Sequence, residues 1–118
     1  MSAPLDSFQA AEAFALSLPG TERTTSYNKP AVRIAANGRT FLYTGREEDT
    51  SFALALDLDT IDLLKTTEPE TYWQSPHYEG WPAVLVRYDS PNPERVRTTI
   101  RRAHEQASAK KPVRRRGR

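Results

Sequence analysis

Residues 31–43, which read AVRIAANGRTFLY, contain the pattern that decides the fold class of this chain. Apolar and polar side chains alternate before Asn37-Gly38, and a second β-prone run follows it. Asn-Gly is the dipeptide most typical of a two-residue type I′ turn, which joins antiparallel strands. We therefore predict a hairpin with strands at residues 31–35 and 39–43.

The segments downstream extend this hairpin into a sheet. Residues 51–57 predict a third strand, because Phe52, Leu54 and Leu56 fall on one face of an extended chain. The apolar, β-branched run at residues 82–88 predicts a fourth strand. The first three strands would form an antiparallel meander, and the fourth would follow a helical segment.

Helical patterns precede and interrupt these strands. The first helix is expected to begin at a cap on Asp6 and to end before Pro19-Gly20. Asp59 is the expected cap of a short helix at residues 60–65. Residues 67–73 begin with capping-box spacing and predict one further helical turn.

The last helix has an apolar stripe at helical period. Asn92 is its expected N-cap, and the stripe comprises Val96, Ile100, Ala103 and Ala107. The element order α-β-β-β-α-β-α predicts an α+β fold, with an antiparallel sheet of about four strands and helices on one face. Residues 1–109 would form a single domain. Residues 110–118 show no periodicity, so we expect a disordered basic tail.

Charge is distributed unevenly along the chain. Residues 1–91 carry seven basic and thirteen acidic side chains, a net charge of −6. Residues 92–118 carry ten basic and two acidic side chains, a net charge of +8. An acidic body with a basic end is typical of a polyanion-binding arm, and equally of a solubilising tail.

Composition excludes several classes of site. The chain has no cysteine, which rules out disulfides, cysteine-ligated zinc and iron–sulfur clusters. His77 and His104 are the only histidines and have neither metal-ligand spacing nor a nucleophile motif nearby. We expect no cofactor and no metal. Residues 1–18 lack the features of a signal peptide, so we expect a cytoplasmic protein without membrane contact. We also expect a monomer.

Two stretches carry candidate ligand-binding residues. The first is the aromatic segment 72–81, which could stack on bases, line a pocket for a small ligand, or cover one end of the core. The second is Ser26 to Pro30, which holds a phenol and an amine two residues apart. The candidate residues from both stretches are Tyr27, Lys29, Trp73, His77, Tyr78 and Trp81.

The basic end supplies candidate contacts to nucleic-acid phosphates. Arg97 and Arg101 lie one helical turn apart on one flank of the apolar stripe, and Arg102 lies on the other. Such contacts are independent of sequence and sensitive to salt. The full candidate set is Arg97, Arg101, Arg102, Lys110, Lys111, Arg114, Arg115 and Arg116.

The chain also resembles a known family through an ordered set of short segments that ends with the final helix. Before that helix come Leu18-Pro19-Gly20-Thr21-Glu22, Ser26-Tyr27-Asn28-Lys29-Pro30-Ala31, the Asn37-Gly38 hairpin, Leu56-Asp57, Glu68-Pro69-Glu70-Thr71-Tyr72-Trp73, Pro76-His77-Tyr78-Glu79-Gly80-Trp81 and Val84-Leu85-Val86-Arg87. Together they resemble the MmcQ/YjbR family of small bacterial proteins, over about residues 5–109. The resemblance implies a double-wing or CyaY-like α+β domain, of a kind commonly labelled DNA-binding. The chain departs from the family pattern at Asn28, where glycine is more usual, and at Ala55, where lysine is more usual.

Two functional hypotheses follow. The leading one is a non-enzymatic module that binds DNA by contacting phosphates through the basic C-terminal helix and tail. The alternative is a small-ligand or protein-interaction module that uses the aromatic segment 72–81. Loss of the lysine at position 55 removes a positive charge from the sheet, which weakens the case for nucleic-acid binding by the sheet itself.

Overall fold

Six strands form one antiparallel sheet within residues 4–113, the part of the chain that the computed structural model describes. The strand order across the sheet is β1-β2-β3-β4-β6-β5. Three helices accompany the sheet in the described residues. The elements are α1 (Phe8–Leu16), β1 (Thr21–Ser26), β2 (Lys29–Ile34), β3 (Thr40–Tyr43), β4 (Ser51–Ala55), α2 (Leu58–Thr67), β5 (Tyr72–Trp73), β6 (Ala83–Arg87) and α3 (Pro93–Ser108).

The α+β class and the antiparallel sheet are confirmed, but the predicted number of about four strands is wrong. The first missed strand, β1, reads TERTTS and has no buried residue. It forms a strand because it pairs with β2 along its whole length at the sheet edge, where one side of the strand faces water. The second, β5, has two residues that pair with β6, in a segment predicted to be helical.

The predicted type I′ turn belongs to a different hairpin. Tyr27 and Asn28 join β1 to β2 as a two-residue turn, with φ of 52° and 67°. Positive φ at both positions is what a type I′ turn requires, and asparagine tolerates it better than most residues. The positive φ at position 28 explains why glycine or asparagine is favoured there.

The Asn37-Gly38 prediction was wrong in turn type, although it placed a hairpin correctly between β2 and β3. The Ile34 N–H donates to the Arg39 carbonyl at 2.8 Å, and the Gly38 N–H donates to the Ile34 carbonyl at 2.8 Å. Only Gly38 of this loop has positive φ. Four residues therefore close the loop, and Asn37 is left free to bind elsewhere.

One face of the sheet packs against the helices and forms the core. All three helices contribute to a single buried cluster, represented by Ala11 of α1, Ile61 of α2 and Ile100 of α3. The stripe predicted for α3 is confirmed, since Val96, Ile100, Ala103 and Ala107 are all buried. Burying a side chain of valine or isoleucine size contributes about 1.5–3 kcal/mol.

Caps decide where each helix begins. Asn92 caps α3 as predicted, and its side chain accepts from the Arg95 N–H. The other two caps lie one and two residues from the predicted positions: Ser7 accepts from the Ala10 N–H, and Asp57 accepts from the Thr60 N–H. In each case the side-chain oxygen reaches the N–H three residues on, which is the usual capping geometry.

The chain after α3 is held against the β2–β3 loop. We call residues 110–113 the C-terminal strap. Asn37 Nδ2 donates to the Ala107 and Lys110 carbonyls at 2.8 and 3.1 Å, and the Val113 N–H donates to the Asn37 carbonyl at 2.9 Å. Arg39 Nε donates to the Lys111 carbonyl at 2.8 Å. The predicted disorder of residues 114–118 concerns positions outside the described residues.

Replacing Asn37 should weaken the fold. Asn37→Ala removes two bonds to the end of α3 and the strap, and a third from the Arg39 N–H to Asn37 Oδ1. We expect the free energy of unfolding to fall by about 1–3 kcal/mol, measured by urea denaturation. Asn28→Gly, at positive φ in the other hairpin, is the control and should change it by less than about 1 kcal/mol. Equal stability of Asn37→Ala and the wild type would contradict this assignment.

Candidate functional site

The face of the sheet opposite the helices, here called the outer face, is covered by loops and aromatic side chains. Phe52 and Leu54 point into the core, so Ala53 between them points outward. Across the strands Ala53 lies opposite Tyr43 and Leu85. Ala53 and Leu85 are fully buried although no helix packs on this side in the described chain. Other side chains must therefore shield them from water.

Two adjoining cavities lie on the outer face, and we call them together the outer cleft. Their volumes are about 380 and 340 Å³, and both are lined by Tyr27, Tyr43, His77 and Tyr78. These volumes fall within the usual range for small-molecule pockets. One end of the cleft is completed by Trp81 and Ala83, and the other by Lys29, Thr44, Gly45 and Arg46.

The rim of the cleft consists of aromatic side chains that face water. Tyr27 stands at the tip of the β1–β2 turn with 96% of its surface exposed. Trp81, in the loop between β5 and β6, is 64% exposed. Large aromatic side chains are usually buried, because exposing their apolar surface to water is unfavourable. Two exposed rings at the mouth of a cavity therefore indicate a contact surface.

The β5–β6 loop is held by the side chain of Gln74. Its Nε2 donates to the carbonyls of Tyr78, Trp81 and Ala83 at 3.1, 3.2 and 2.7 Å. Its Oε1 accepts from Lys65 Nζ at 2.9 Å. One amide thus fixes the part of the loop that carries Tyr78 and Trp81, so this wall of the cleft is formed before any ligand binds.

Tyr78 packs between His77 and the β3–β4 loop. The rings of His77 and Tyr78 meet edge to face, with centroids 5.4 Å apart. The Tyr78 hydroxyl lies so close to Gly45 that a Cβ at that position would overlap it. Gly45 has no positive φ, so glycine is needed here for space and not for backbone conformation.

The phenols of Tyr43 and Tyr78 in the cleft stay protonated over the physiological pH range, because their pKa values are raised. Burial raises the pKa of Tyr43 to about 12, and the nearby phenols of Tyr78 and Tyr27 add to the shift. Burial also raises the pKa of Tyr78, and the Glu47 carboxylate acts in the same direction. Protonated phenols are hydrogen-bond donors as well as acceptors. The cleft therefore offers several O–H donors.

Cationic groups lie at one end of the cleft. Lys29 Nζ is 3.0 Å from Glu48 Oε2, and it donates to the Gly45 carbonyl at 3.4 Å. Arg46 is exposed and forms no ion pair with another residue of the described range 4–113. The carboxylates of Glu47 and Glu48 are nearby in the chain but line neither cavity.

Comparisons with known proteins show which family the chain belongs to. The family model described as YjbR matches residues 16–106. The chain belongs to the YjbR family. A crystal structure of the Deinococcus radiodurans protein DR2400, with a domain of the family model DUF419, superposes on this YjbR domain with a TM-score of 0.76. The two are 16% identical over 93% of this chain and 84% of the other, which supports a common fold. A comparison with curated proteins gave no match.

The YjbR domain brings together five of the six predicted ligand-binding residues. Tyr27, Lys29, His77, Tyr78 and Trp81 all line the outer cleft. Trp73 does not line it. Its indole N–H donates to Ser51 Oγ at 3.0 Å, and the Arg87 guanidinium lies 4.6 Å from its ring centroid.

Segment 72–81 is divided between a strand and a loop, which explains the position of Trp73. Residues 72–73 form β5, where side chains alternate between the two faces. Tyr72 points into the core and its hydroxyl is 2.6 Å from Thr99 Oγ1. Trp73 points outward, beyond the cleft.

The basic residues of α3 in this YjbR domain are partly used within the fold. Arg97 pairs with Glu94 at 2.8 Å, and only 11% of its side chain is exposed. The guanidinium groups of Arg97 and Arg101 lie 5.8 and 5.1 Å from the ring centroid of Phe14 in α1. Both arginines thus help to join α1 to α3.

The remaining members of the basic set divide into exposed and undescribed residues. Arg102, Lys110 and Lys111 are exposed. Arg114, Arg115 and Arg116 lie outside the described residues. The described chain contains no group of three or more metal-ligating side chains, and none of its helices is long and apolar enough to cross a membrane.

Sequence reasoning missed Gln74, which holds the loop, and five residues that line the cleft: Tyr43, Thr44, Gly45, Arg46 and Ala83. Tyr43 and Ala83 were predicted only as strand residues, and no motif covers the other three. Strand alternation could have placed Tyr43 on the outer face, but the pattern does not show which loop lies above it. Gln74 had no recognisable motif. Ala55 pairs with Ala83, and no Lys, Arg, Asp or Glu lines the Trp81 end of the cleft.

The close approach of Gly45 and Tyr78 can be tested by a double-mutant cycle. In the wild-type background Gly45→Ala should cost about 1–3 kcal/mol of unfolding free energy, because the added methyl overlaps the Tyr78 side chain. In a Tyr78→Ala background the same change should cost less than about 0.5 kcal/mol, since the clash is gone. Urea denaturation measures both values. Equal costs in the two backgrounds would show that the residues do not touch.

Proposed function

We propose that this YjbR domain is a non-enzymatic binding module that holds a small ligand with a flat ring in the outer cleft. The observation that carries the proposal is the bare aromatic rim, formed by Tyr27 and Trp81, over cavities of ligand size. A flat ring placed there would cover apolar surface that otherwise faces water. Stacking of this kind contributes about 1–3 kcal/mol per ring.

The arrangement of the cleft supports this function in a second way. Gln74 and Gly45 hold the Tyr78 wall in place without a ligand, so little conformational entropy is lost on binding. The phenols of Tyr43 and Tyr78 provide directional hydrogen bonds beside the rings. A flat ring with polar substituents fits this combination better than an aliphatic chain does.

Nucleic-acid binding by the basic end is a second candidate. It is favoured by the exposed side chains of Arg102, Lys110 and Lys111 around the end of α3, in the part of the chain with a net charge of +8. Asn37 and Arg39 bind the carbonyls of Lys110 and Lys111, so they hold this part of the strap beside the β2–β3 loop. The pairing of Arg97 with Glu94 reduces the charge available on the helix itself.

Isothermal titration calorimetry with adenosine as the probe tests the ligand-binding proposal. We expect a dissociation constant on the order of 0.1 mM for the full chain, from about −0.3 kcal/mol per ligand heavy atom. Trp81→Ala should weaken binding by roughly tenfold, because the stacking surface is lost. Trp73→Phe is the matched control and should bind as the wild type does, since Trp73 lies outside the cleft.

Two outcomes would contradict the ligand-binding proposal. One is the absence of heat from adenosine and from further ring probes such as guanosine, uridine and nicotinamide. The other is a loss of affinity in Trp73→Phe equal to that in Trp81→Ala. Thermal unfolding of each variant checks that the domain remains folded.

The second candidate is tested by fluorescence anisotropy of labelled duplex DNA across a salt series. Replacing Lys110, Lys111, Arg114, Arg115 and Arg116 with glutamine keeps the strap and removes five charges. We expect the variant to lose most of its affinity and to show a smaller salt dependence, because each phosphate contact contributes about −0.9 to the log–log slope. An unchanged slope would rule out the basic end as the DNA-binding surface.

A further inference from the structure

We infer that the ligand of the outer cleft joins its flat ring to an anionic group, and that its class is that of the nucleoside monophosphates. The inference rests on the proposed function and adds the chemistry of the second half of the ligand. It comes from the difference between the two ends of the cleft.

The Trp81 end of the cleft carries no charged side chain. Trp81 and Ala83 complete its wall, together with the four residues that both cavities share. The neighbouring strand position is Ala55, which pairs with Ala83 and adds no charge. A nucleobase can stack on these uncharged aromatic rings. They offer no charged group that would attract an ion.

The opposite end is cationic and rich in donors. Lys29 and Arg46 line it. No carboxylate lines it, but Glu48 pairs with Lys29, and the Glu47 carboxylate acts on the pKa of the Tyr78 phenol more strongly than Arg46 does. The protonated phenols of Tyr43 and Tyr78 add O–H donors along the same wall. A group that accepts many hydrogen bonds and carries negative charge matches this end, and phosphate is such a group.

The two cations differ in how readily they can reach a ligand. Arg46 is exposed and has no ion-pair partner in residues 4–113, so its guanidinium can form paired bonds to phosphate oxygens. Lys29 already pairs with Glu48, whose side chain is 51% exposed. An exposed pair of this kind contributes little, so Lys29 can exchange the carboxylate for a phosphate at small cost.

The cavities are close enough for one molecule to occupy both. Tyr27, Tyr43, His77 and Tyr78 line each of them, so the uncharged end and the cationic end adjoin at these four side chains. A ring stacked near Trp81 and a phosphate near Arg46 would lie on either side of these shared residues. A sugar would join the base to the phosphate across these side chains.

Calorimetry that compares adenosine with adenosine 5′-monophosphate tests the inference on the full chain. We expect the monophosphate to bind at least about tenfold more tightly, because charge-assisted hydrogen bonds are stronger than neutral ones. Arg46→Gln should remove most of this advantage, and Lys29→Gln with Arg46→Gln should remove nearly all of it. The readout is the ratio of the two affinities within each variant, so that a general loss of ligand binding is not mistaken for loss of the phosphate contact.

Arg102→Gln is the matched control, because it removes one exposed cation from α3, away from the cleft. It should leave the advantage of the monophosphate unchanged. A short single-stranded oligodeoxyadenylate without terminal phosphates distinguishes a free nucleotide from a nucleotide within a strand. It should bind more weakly than the monophosphate, since each internal phosphate carries one charge where a terminal phosphate carries up to two.

Each other outcome would contradict a different part of the two proposals. Equal affinities for adenosine and its monophosphate would refute the anionic group and leave the proposed function standing. Binding of inorganic phosphate as tight as that of the monophosphate would refute the base. If Arg102→Gln also lost the tighter binding of the monophosphate, the overall charge of the protein would explain that binding, and the cleft would not. An oligonucleotide that binds more tightly would refute the free nucleotide, and no binding by any probe would refute both proposals.

Discussion

The burial of one stripe of α3 against the sheet is the interaction on which the rest of this domain depends. Val96, Ile100, Ala103 and Ala107 pack into the same cluster as the inward side chains of the central strands. At about 1.5–3 kcal/mol for each of the larger side chains, this contact alone is comparable to the net stability of a small domain. It also decides which face of every strand points inward.

That choice leaves the other face of the sheet without a helix in the described chain. Ala53 and Leu85 are buried there nevertheless, and their partners in the neighbouring strands are the large side chains of Tyr43 and Trp73. Loops and rings cover a sheet less evenly than a helix does. The outer cleft is the gap that remains, and its shape depends on small features such as the missing side chain of Gly45.

Periodicity predicted the elements that bury a face and failed where burial is slight. The α3 stripe and strand β4 have regular apolar spacing, so the sequence places them well. Strand β1 has no buried residue and owes its structure to pairing with β2, a contact that local sequence does not reveal. The Asn37-Gly38 prediction named the strongest turn dipeptide, yet the type I′ geometry occurs at Tyr27-Asn28, where strand register sets the loop length.

The sequence indicated which residues could form the candidate site, but it did not indicate how the fold would bring them together. Aromatic residues of segment 72–81 and the pair Tyr27 and Lys29 could be named from the sequence, because such residues are scarce and chemically distinctive. Their meeting depends on the β5–β6 loop, because β5 and β1 lie at opposite edges of the sheet and yet residues of this loop line a cavity together with Tyr27 of the β1–β2 turn. The path of that loop depends on long-range contacts, and no short motif encodes it.

The central claim is that the ligand site lies in the outer cleft and not at the basic end of the chain. The most direct measurement is a two-dimensional ¹H–¹⁵N NMR titration of the assigned protein with adenosine 5′-monophosphate. We predict that shift changes concentrate at Tyr27, Gly45, Tyr78 and the indole N–H of Trp81, and leave residues 101–111 unchanged. Changes that concentrate in residues 101–111 would contradict the account and assign anion binding to the basic end.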